Sequence, residues 1–377
     1  MSDEAEFELF GQLDKNLPLS EKLSAIHTSL RRRYAFVSRI AVVVYDAATD
    51  MLSTYVASSD HPELLKSYQY KLAEATSLVS ILKTGKPRIT DDLSGFSSDG
   101  KFHTQQLLEA GYRSSYTIPM FYKDEFYGFV FFNSYVPSGF TPEVLAQLDP
   151  LARVIALNVI LEIRSMVTLK ATMKTARHFT SNRDCETGAH LERMSRYSRL
   201  IARRLANEYS LSDAYVEQMF LFSPLHDIGK IAIPDRILLK PGPLTREEFD
   251  EMKTHTTKGL GMIDFMLDVF VYKDIPNIDV LRNIVHHHHE SFDGTGYPAG
   301  LSGENIPLEA RIITTADIFD ALTSVRPYKH AWSSDEAFEE LHRLSGSKLD
   351  SHCVAALAAS RTELEDIKAQ FRESVYG

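Results

Sequence analysis

The hydrophobic period changes once along this chain, and the change constrains what it can fold into. From Thr141 onward, apolar residues recur at steps of three and four: Leu148, Leu151, Ile155, Val159 and Ile163 run on into Met166, Leu169 and Met173. This is the spacing of a helix that packs along one face. Ahead of it, helix and strand signals are mixed. Leu13 to Phe36 reads as an amphipathic helix. Ile40 to Tyr45 and Met51 to Ala57 are β-rich runs around an Asp46–Asp50 turn, and Ser114 to Tyr122 and Phe126 to Tyr135 form a second such pair around Lys123–Glu125. Ser77 to Lys83 reads as a short helix ended by Gly85 and Pro87. The order predicts an N-terminal α/β (α+β) domain with a mostly antiparallel sheet. Beyond Thr172 the signal is almost wholly helical, broken by Pro/Gly segments at Pro234–Pro243 and Phe292–Pro307. The expected organisation is a multidomain chain: 1–150 a sensor-sized domain, 151–175 a linker helix, 176–377 an all-α domain. The apolar stripe leaves two readings of the linker open, a helix folded back on its own domain and one that pairs in a homodimer.

Composition agrees with two cores. The 377 residues allow two domains at roughly 150 residues each. A net charge of −10 argues against broad nucleic-acid binding, so an anionic ligand must be held by local charge or by metal. Two cysteines, Cys185 and Cys353, exclude a disulfide framework and suit a reducing cytoplasm. The acidic Met1–Phe10 segment has no signal-peptide pattern. The most apolar run, Val154 to Ile163, is interrupted by Asn158 and Glu162 and is shorter than the ~20 residues of a membrane span. The expectation is a cytoplasmic protein without a membrane or nucleic-acid partner.

The chemistry is carried by histidines placed beside carboxylates. His226 adjoins Asp227; an imidazole offers one neutral nitrogen, and a carboxylate has two oxygens that can bridge two ions. Glu186 and His190 are four apart and share a face if helical. His255 follows the Pro-Gly loop, and His286, His287, His288 and His289 precede Glu290. Asp317 lies in the apolar run Ile312 to Leu322, where an unpaired carboxylate is costly to bury. Together these supply nitrogen and oxygen ligands for two or three divalent ions, of the kind that suits Fe, Mn or Zn; without thiolates, a Cys-type structural zinc site is not indicated.

Five blocks in order then resemble the HD-GYP family of HD-domain metal phosphohydrolases over roughly residues 170–360: His226-Asp227-Ile228-Gly229-Lys230; Ile233-Pro234-Asp235 through Lys240-Pro241-Gly242 to Leu244-Thr245; His288-His289-Glu290 with Asp293-Gly294; Gly296-Tyr297-Pro298; and Asp317 with Asp320-Ala321-Leu322 and Arg326-Pro327-Tyr328-Lys329. The resemblance implies a bacterial signalling phosphodiesterase that opens cyclic di-GMP, with pGpG or GMP as the end product left open. It implies metal ligands His226, Asp227, His255, His288, His289 and Asp317, with Asp227 bridging. Glu186 and His190 match positions that complete a third site in some members. Two or three divalent ions follow, Fe or Mn by preference. Asp227 and Lys230 take the catalytic roles, and Lys230, Arg326 and Lys329 contact phosphate. The Gly-Tyr-Pro loop is read first as a shaped turn and second as a surface for protein partners. Leu349-Asp350-Ser351 departs from the family's Phe-Asp-Pro and is expected to alter only a helix start.

The first half resembles a GAF domain, through Gly85-Lys86-Pro87, Gly111-Tyr112-Arg113-Ser114, Ile118-Pro119-Met120, Gly128 and Phe140. That implies a module that binds an unidentified small molecule, forms dimers, or does both, and modulates the enzyme. Two alternatives stay beside the leading one: a binding-only adaptor, and the same enzyme class acting on a related cyclic dinucleotide such as cyclic GMP-AMP or on a nucleotide monophosphate ester.

Overall fold

The computed structural model describes residues 17–60, 69–96, 102–179, 188–269, 277–324 and 331–372. Contacts divide the chain into two units, the first reaching Arg164 and taking in the short stretch Ser212–Ala214, the second holding the rest from Ser165 on. In the first, helix α1 (Leu19–Arg33) leads into strands β1 (Val37–Asp46) and β2 (Met51–Ser59), then β3 (Gln69–Lys71), α2 (Thr76–Thr84), β4 (Arg88–Thr90), α3 (Phe102–Glu109), β5 (Ser114–Tyr122) and β6 (Glu125–Ser134). The sheet order is β3-β2-β1-β6-β5-β4, and every neighbouring pair is antiparallel. Helix α1 is shorter than the amphipathic pattern suggested. The chain turns at Tyr34, where Val37 N donates to Tyr34 O, and Phe36 leaves the helix to pack edge-on against Phe140.

Alternation along the central strands explains the two cores of this unit. Ile40, Val42, Val130 and Phe132 point to one face. There they meet Leu23 and Ile26 of α1 and the long helix α4 (Pro142–Phe179). Ala41, Val43, Phe129 and Phe131 point to the other face, against Leu78 and Ile81 of α2. By length and composition the segment Pro142–Thr168 of α4 could cross a membrane, a longer candidate than Val154 to Ile163. One face of it is already in use: Leu148, Leu151, Ile155 and Val159 are buried on the sheet, whereas Leu157, Leu161 and Val167 are exposed. Glu162, which breaks the apolar run, accepts a hydrogen bond from the Tyr55 hydroxyl at 2.5 Å, and burial pushes its carboxyl up.

The second unit is helical: α5 (Gly188–Leu205), α6 (Asp213–Phe222), a 3₁₀ segment Ile228–Ala232, α7 (Asp235–Leu238), α8 (Arg246–Lys253), α9 (His255–Val269), α10 (Ile278–His287), α11 (Leu308–Thr323), α12 (Ser334–Leu344), α13 (Ser351–Ala358) and α14 (Arg361–Gln370). The segment expected as a plain loop at Pro234–Pro243 contains α7. The core forms around Tyr197, Phe222, Phe319 and Phe338, with Cys353 buried beside them as a free thiol. Asp350 caps α13 by accepting from His352 N at 2.8 Å and pairs with the buried Arg311 guanidinium, so the departure at Leu349-Asp350-Ser351 does sit at a helix start.

Because Arg311 and Asp350 are each under a tenth exposed, removing one leaves a buried charge. Asp350→Ala is expected to cost about 3–5 kcal/mol, read as a lower urea midpoint with an unchanged slope. A loss below about 1 kcal/mol would contradict this assignment.

Candidate metal centre

The end of α6 places the first ligand types. After Phe222 the chain tightens into 3₁₀ turns at Ser223–Leu225 and Ile228–Ala232, so His226 and Asp227 sit between two short turns rather than on an α-helix. Lys230, four residues after His226, therefore does not share an α-helical face with it. Lys230 Nζ lies 2.6 Å from Asp227 Oδ2, three residues back. The turn is pressed against α9. A Cβ on Gly229 would fall 1.8 Å from His255 O and 2.6 Å from Gly259 N, which only glycine permits. That contact brings His255, the first residue of α9, onto Asp227.

Helix α10 delivers His288 at its C-terminal cap and His289 beyond it. Thr314 of α11 donates to His288 O at 2.7 Å, and Asp317 follows one turn later. One ligand atom from each of Asp227, His255, His288 and His289 lies within 4.8 Å of the others, and the same holds for His190, His226 and Asp317. Asp227 lies against both sets. Its Oδ1 faces His255 Nε2 at 3.1 Å and His288 Nε2 at 3.5 Å, and its Oδ2 faces His226 Nε2 at 3.2 Å.

The histidine tautomers decide what this arrangement can hold. His226 Nδ1 meets Ser223 O at 2.9 Å, His255 Nδ1 meets Met252 O at 2.8 Å, and His288 Nδ1 meets Ile284 O at 3.0 Å. A carbonyl only accepts, so each Nδ1 carries the proton. His190 Nδ1 likewise donates to Asp320 Oδ2 at 2.8 Å. In the neutral ring every Nε2 then presents a lone pair. Burial lowers the His288 pKa, and burial with the neighbouring His288 holds that of His289 well below its ordinary value, which keeps both rings neutral. Asp227 stays ionised. Burial works against its charge, but the Lys230 ammonium beside it holds its carboxyl well below the usual range. Lone pairs facing a buried carboxylate repel one another unless a cation sits among them. The donor set of imidazoles and carboxylates therefore fits a divalent metal.

Several expected site residues fall elsewhere. Glu186, its neighbour Cys185, Arg326 and Lys329 lie outside the described residues. Asp317 is half-buried, not the buried carboxylate of its helix. That one is Asp320, held by Arg193 Nε at 2.5 Å and by His190; burial raises its pKa, and these partners more than reverse it. Arg193 also donates to Ser324 at 2.7 Å. Reading the sequence alone missed this support, although Asp320 stands one turn after Asp317 in an apolar helix and was the signal available. His286 and His287 belong to α10, outside both ligand groups. The Gly-Tyr-Pro loop is tied down from within: the buried Glu290 accepts from Ala299 N at 2.8 Å and Leu301 N at 3.0 Å. A Cβ on Gly296 would lie 2.2 Å from Ser291 N. Tyr297 stacks on His289 with centroids 4.8 Å apart, and burial raises its phenol pKa.

Comparison with known proteins places this geometry in context. Residues 185–353 match the family model of the HD domain, and residues 19–159 match that of the GAF domain. The cyclic di-GMP phosphodiesterase response regulator RpfG of Xanthomonas campestris is 47% identical over 189 residues, 50% of this chain and 47% of that protein. A cyclic di-GMP phosphodiesterase of Thermotoga maritima is 42% identical over 185 residues, 49% of this chain and 47% of the relative. The 3'3'-cGAMP-specific phosphodiesterase 2 of Vibrio cholerae is 36% identical over 211 residues, 55% of this chain and 38% of the relative. The chain thus spans about half the length, or less, of these curated relatives.

Support from outside the ligand groups is measurable. Asp320→Ala should weaken Mn²⁺ binding to the metal-stripped protein by about 10–100-fold, as loss of a histidine's carboxylate partner does elsewhere. Asp320→Asn, which keeps an acceptor for His190, should lose less. Equal, undiminished affinity in both variants would mean that Asp320 serves folding alone.

Proposed function

We propose that this chain, which carries a GAF domain followed by an HD domain, is a metal-dependent phosphodiesterase that hydrolyses cyclic di-GMP. The observation that carries the proposal is the convergence of Nε2 atoms on Asp227. Relatives named for this activity support the choice of substrate. In this reading Asp227, His255, His288 and His289 hold one divalent ion and His190, His226 and Asp317 another, with Asp227 shared. Glu186 is the candidate for completing a third site. Iron or manganese suits the donor set.

When bound, such ions supply a water activated near neutral pH and neutralise charge at the phosphate. The protein's own residues do the rest. The Nδ1–H bonds to backbone carbonyls and to Asp320 orient the rings before any ligand arrives. Lys230, part-exposed beside Asp227, carries a proton on Nζ toward a phosphate oxygen or the departing 3′ oxygen. Arg326 and Lys329 are assigned to the phosphates, the guanidinium by its planar fork. The GAF domain is assigned a modulating role through an unidentified small molecule, helix residues 151–175 the link between domains and the seam of a homodimer, and the Tyr297 loop a secondary role toward protein partners. Free Cys353 and the two-cysteine count suit the cytoplasm. Relatives named as 3'3'-cGAMP-specific make that dinucleotide the second reading.

The test is anaerobic purification, metal counting, and incubation with cyclic di-GMP or 3'3'-cGAMP plus Mn²⁺ or Fe²⁺, with products resolved by chromatography. The expected result is pGpG or GMP from the intact protein, and from Asp227→Ala a rate at least about a hundredfold lower with less bound metal, because a ligand shared by two ions is lost. Full metal and full activity in that variant would remove Asp227 from the bridging position. A metal-loaded protein that leaves cyclic di-GMP intact would replace the hydrolytic reading with a binding one.

A further inference from the structure

Helix α8 presents a problem that packing does not explain. It buries none of its residues, yet it is firmly held. Thr245 and Glu248 form a reciprocal capping box at its start, Lys240 Nζ pairs with Glu248 at 2.5 Å, and Arg236 pairs with Glu251 at 2.9 Å. On this fixed helix sits Phe249, 48% exposed. Leaving half a phenylalanine in water forgoes burial energy and contributes nothing to the core of the unit. Its neighbours point to a use. The ring stands edge-on to Tyr297 at 6.5 Å, and Tyr297 in turn stacks on His289 at 4.8 Å. An aromatic series thus runs from the candidate metal centre outward to an exposed ring. The Lys253 ammonium lies 5.3 Å from the Phe249 centroid, adding positive charge beside it.

We propose that Phe249 is a stacking platform for a purine base of the cyclic dinucleotide, with Tyr297 joining that platform to the metal ligands. The inference rests on the dinucleotide reading above. A phosphodiester held at the His289 side of the cluster carries its nucleoside along this aromatic edge. Every base offers a π-face, and stacking on a preset ring adds affinity without reading sequence. The platform therefore acts on binding and leaves the chemical step to the residues around Asp227.

The test is steady-state kinetics of the full-length, metal-loaded protein on cyclic di-GMP for Phe249→Ala, Phe249→Leu and Phe249→Trp, with metal content counted in each. Phe249→Ala is expected to raise KM about 10–100-fold while kcat stays within about twofold, the split expected when ground-state and transition-state binding are lost alike. Phe249→Leu keeps apolar bulk without a π-face and should behave like Ala. Phe249→Trp should restore KM, and its added indole fluorescence should fall as cyclic di-GMP saturates the site. An unchanged KM in Phe249→Ala, or a Leu variant as good as Trp, overturns the stacking assignment. So does a fall in kcat that follows loss of metal in all three variants. If the intact metal-loaded protein does not turn over the dinucleotide, the functional reading itself fails, and that result is separate from any difference among the variants.

Discussion

The repulsion built into the centre of the second unit is the constraint on which its other features depend. A buried carboxylate, Asp227, faces imidazole nitrogens whose protons are committed elsewhere, to Ser223 O, Met252 O and Ile284 O. Such a cluster gains nothing from being assembled in the absence of a cation, and Lys230 supplies only one positive charge at one of the two carboxylate oxygens. The protein assembles it regardless. Gly229 lets the 3₁₀ turn press against α9, Thr314 fastens α11 to His288, and Asp320 with Arg193 fixes His190. Stability elsewhere in the helical core offsets the cost, as is usual where a site is made ready for a ligand.

The two units were legible from sequence to different depths. The β-rich runs Ile40–Tyr45 and Met51–Ala57, and the polar turns at Asp46–Asp50 and Lys123–Glu125, marked the two hairpins of the sheet. The edges were harder. Phe36 carries a helical apolar pattern forward, but packing on Phe140 draws it out of α1. The apolar length of α4 was understated because Asn158 and Glu162 interrupt it; Tyr55 satisfies Glu162, a partner that only the folded sheet provides.

In the helical unit, residue types and order were readable, whereas their roles within the fold were not. Nothing in the chain says that residues as far apart as His190, Asp227 and Asp317 will gather; the resemblance to a known family grouped them, and the fold brings seven residues within ligand distance in two sets. Four-residue spacing alone would put Lys230 on one helical face with His226, but the 3₁₀ turns set it against Asp227 instead. An apolar helix with two aspartates, Asp317 and Asp320, gave no means of deciding which is buried. Tertiary partners decide it, since Arg193 and His190 converge on Asp320 and leave Asp317 toward the open side.

The central claim is that the inward-facing nitrogens are Nε2 and that they exist to bind metal. The most direct measurement is nitrogen NMR of the imidazoles in ¹⁵N-histidine-labelled, metal-stripped protein, titrated with diamagnetic Zn²⁺. The account predicts that His190, His226, His255 and His288 carry a proton on Nδ1 and turn Nε2 inward before addition, and that Zn²⁺ shifts their Nε2 resonances while the Nδ1 protons remain. Protonated Nε2 atoms in the stripped protein, or Nε2 resonances that ignore saturating Zn²⁺, would contradict it.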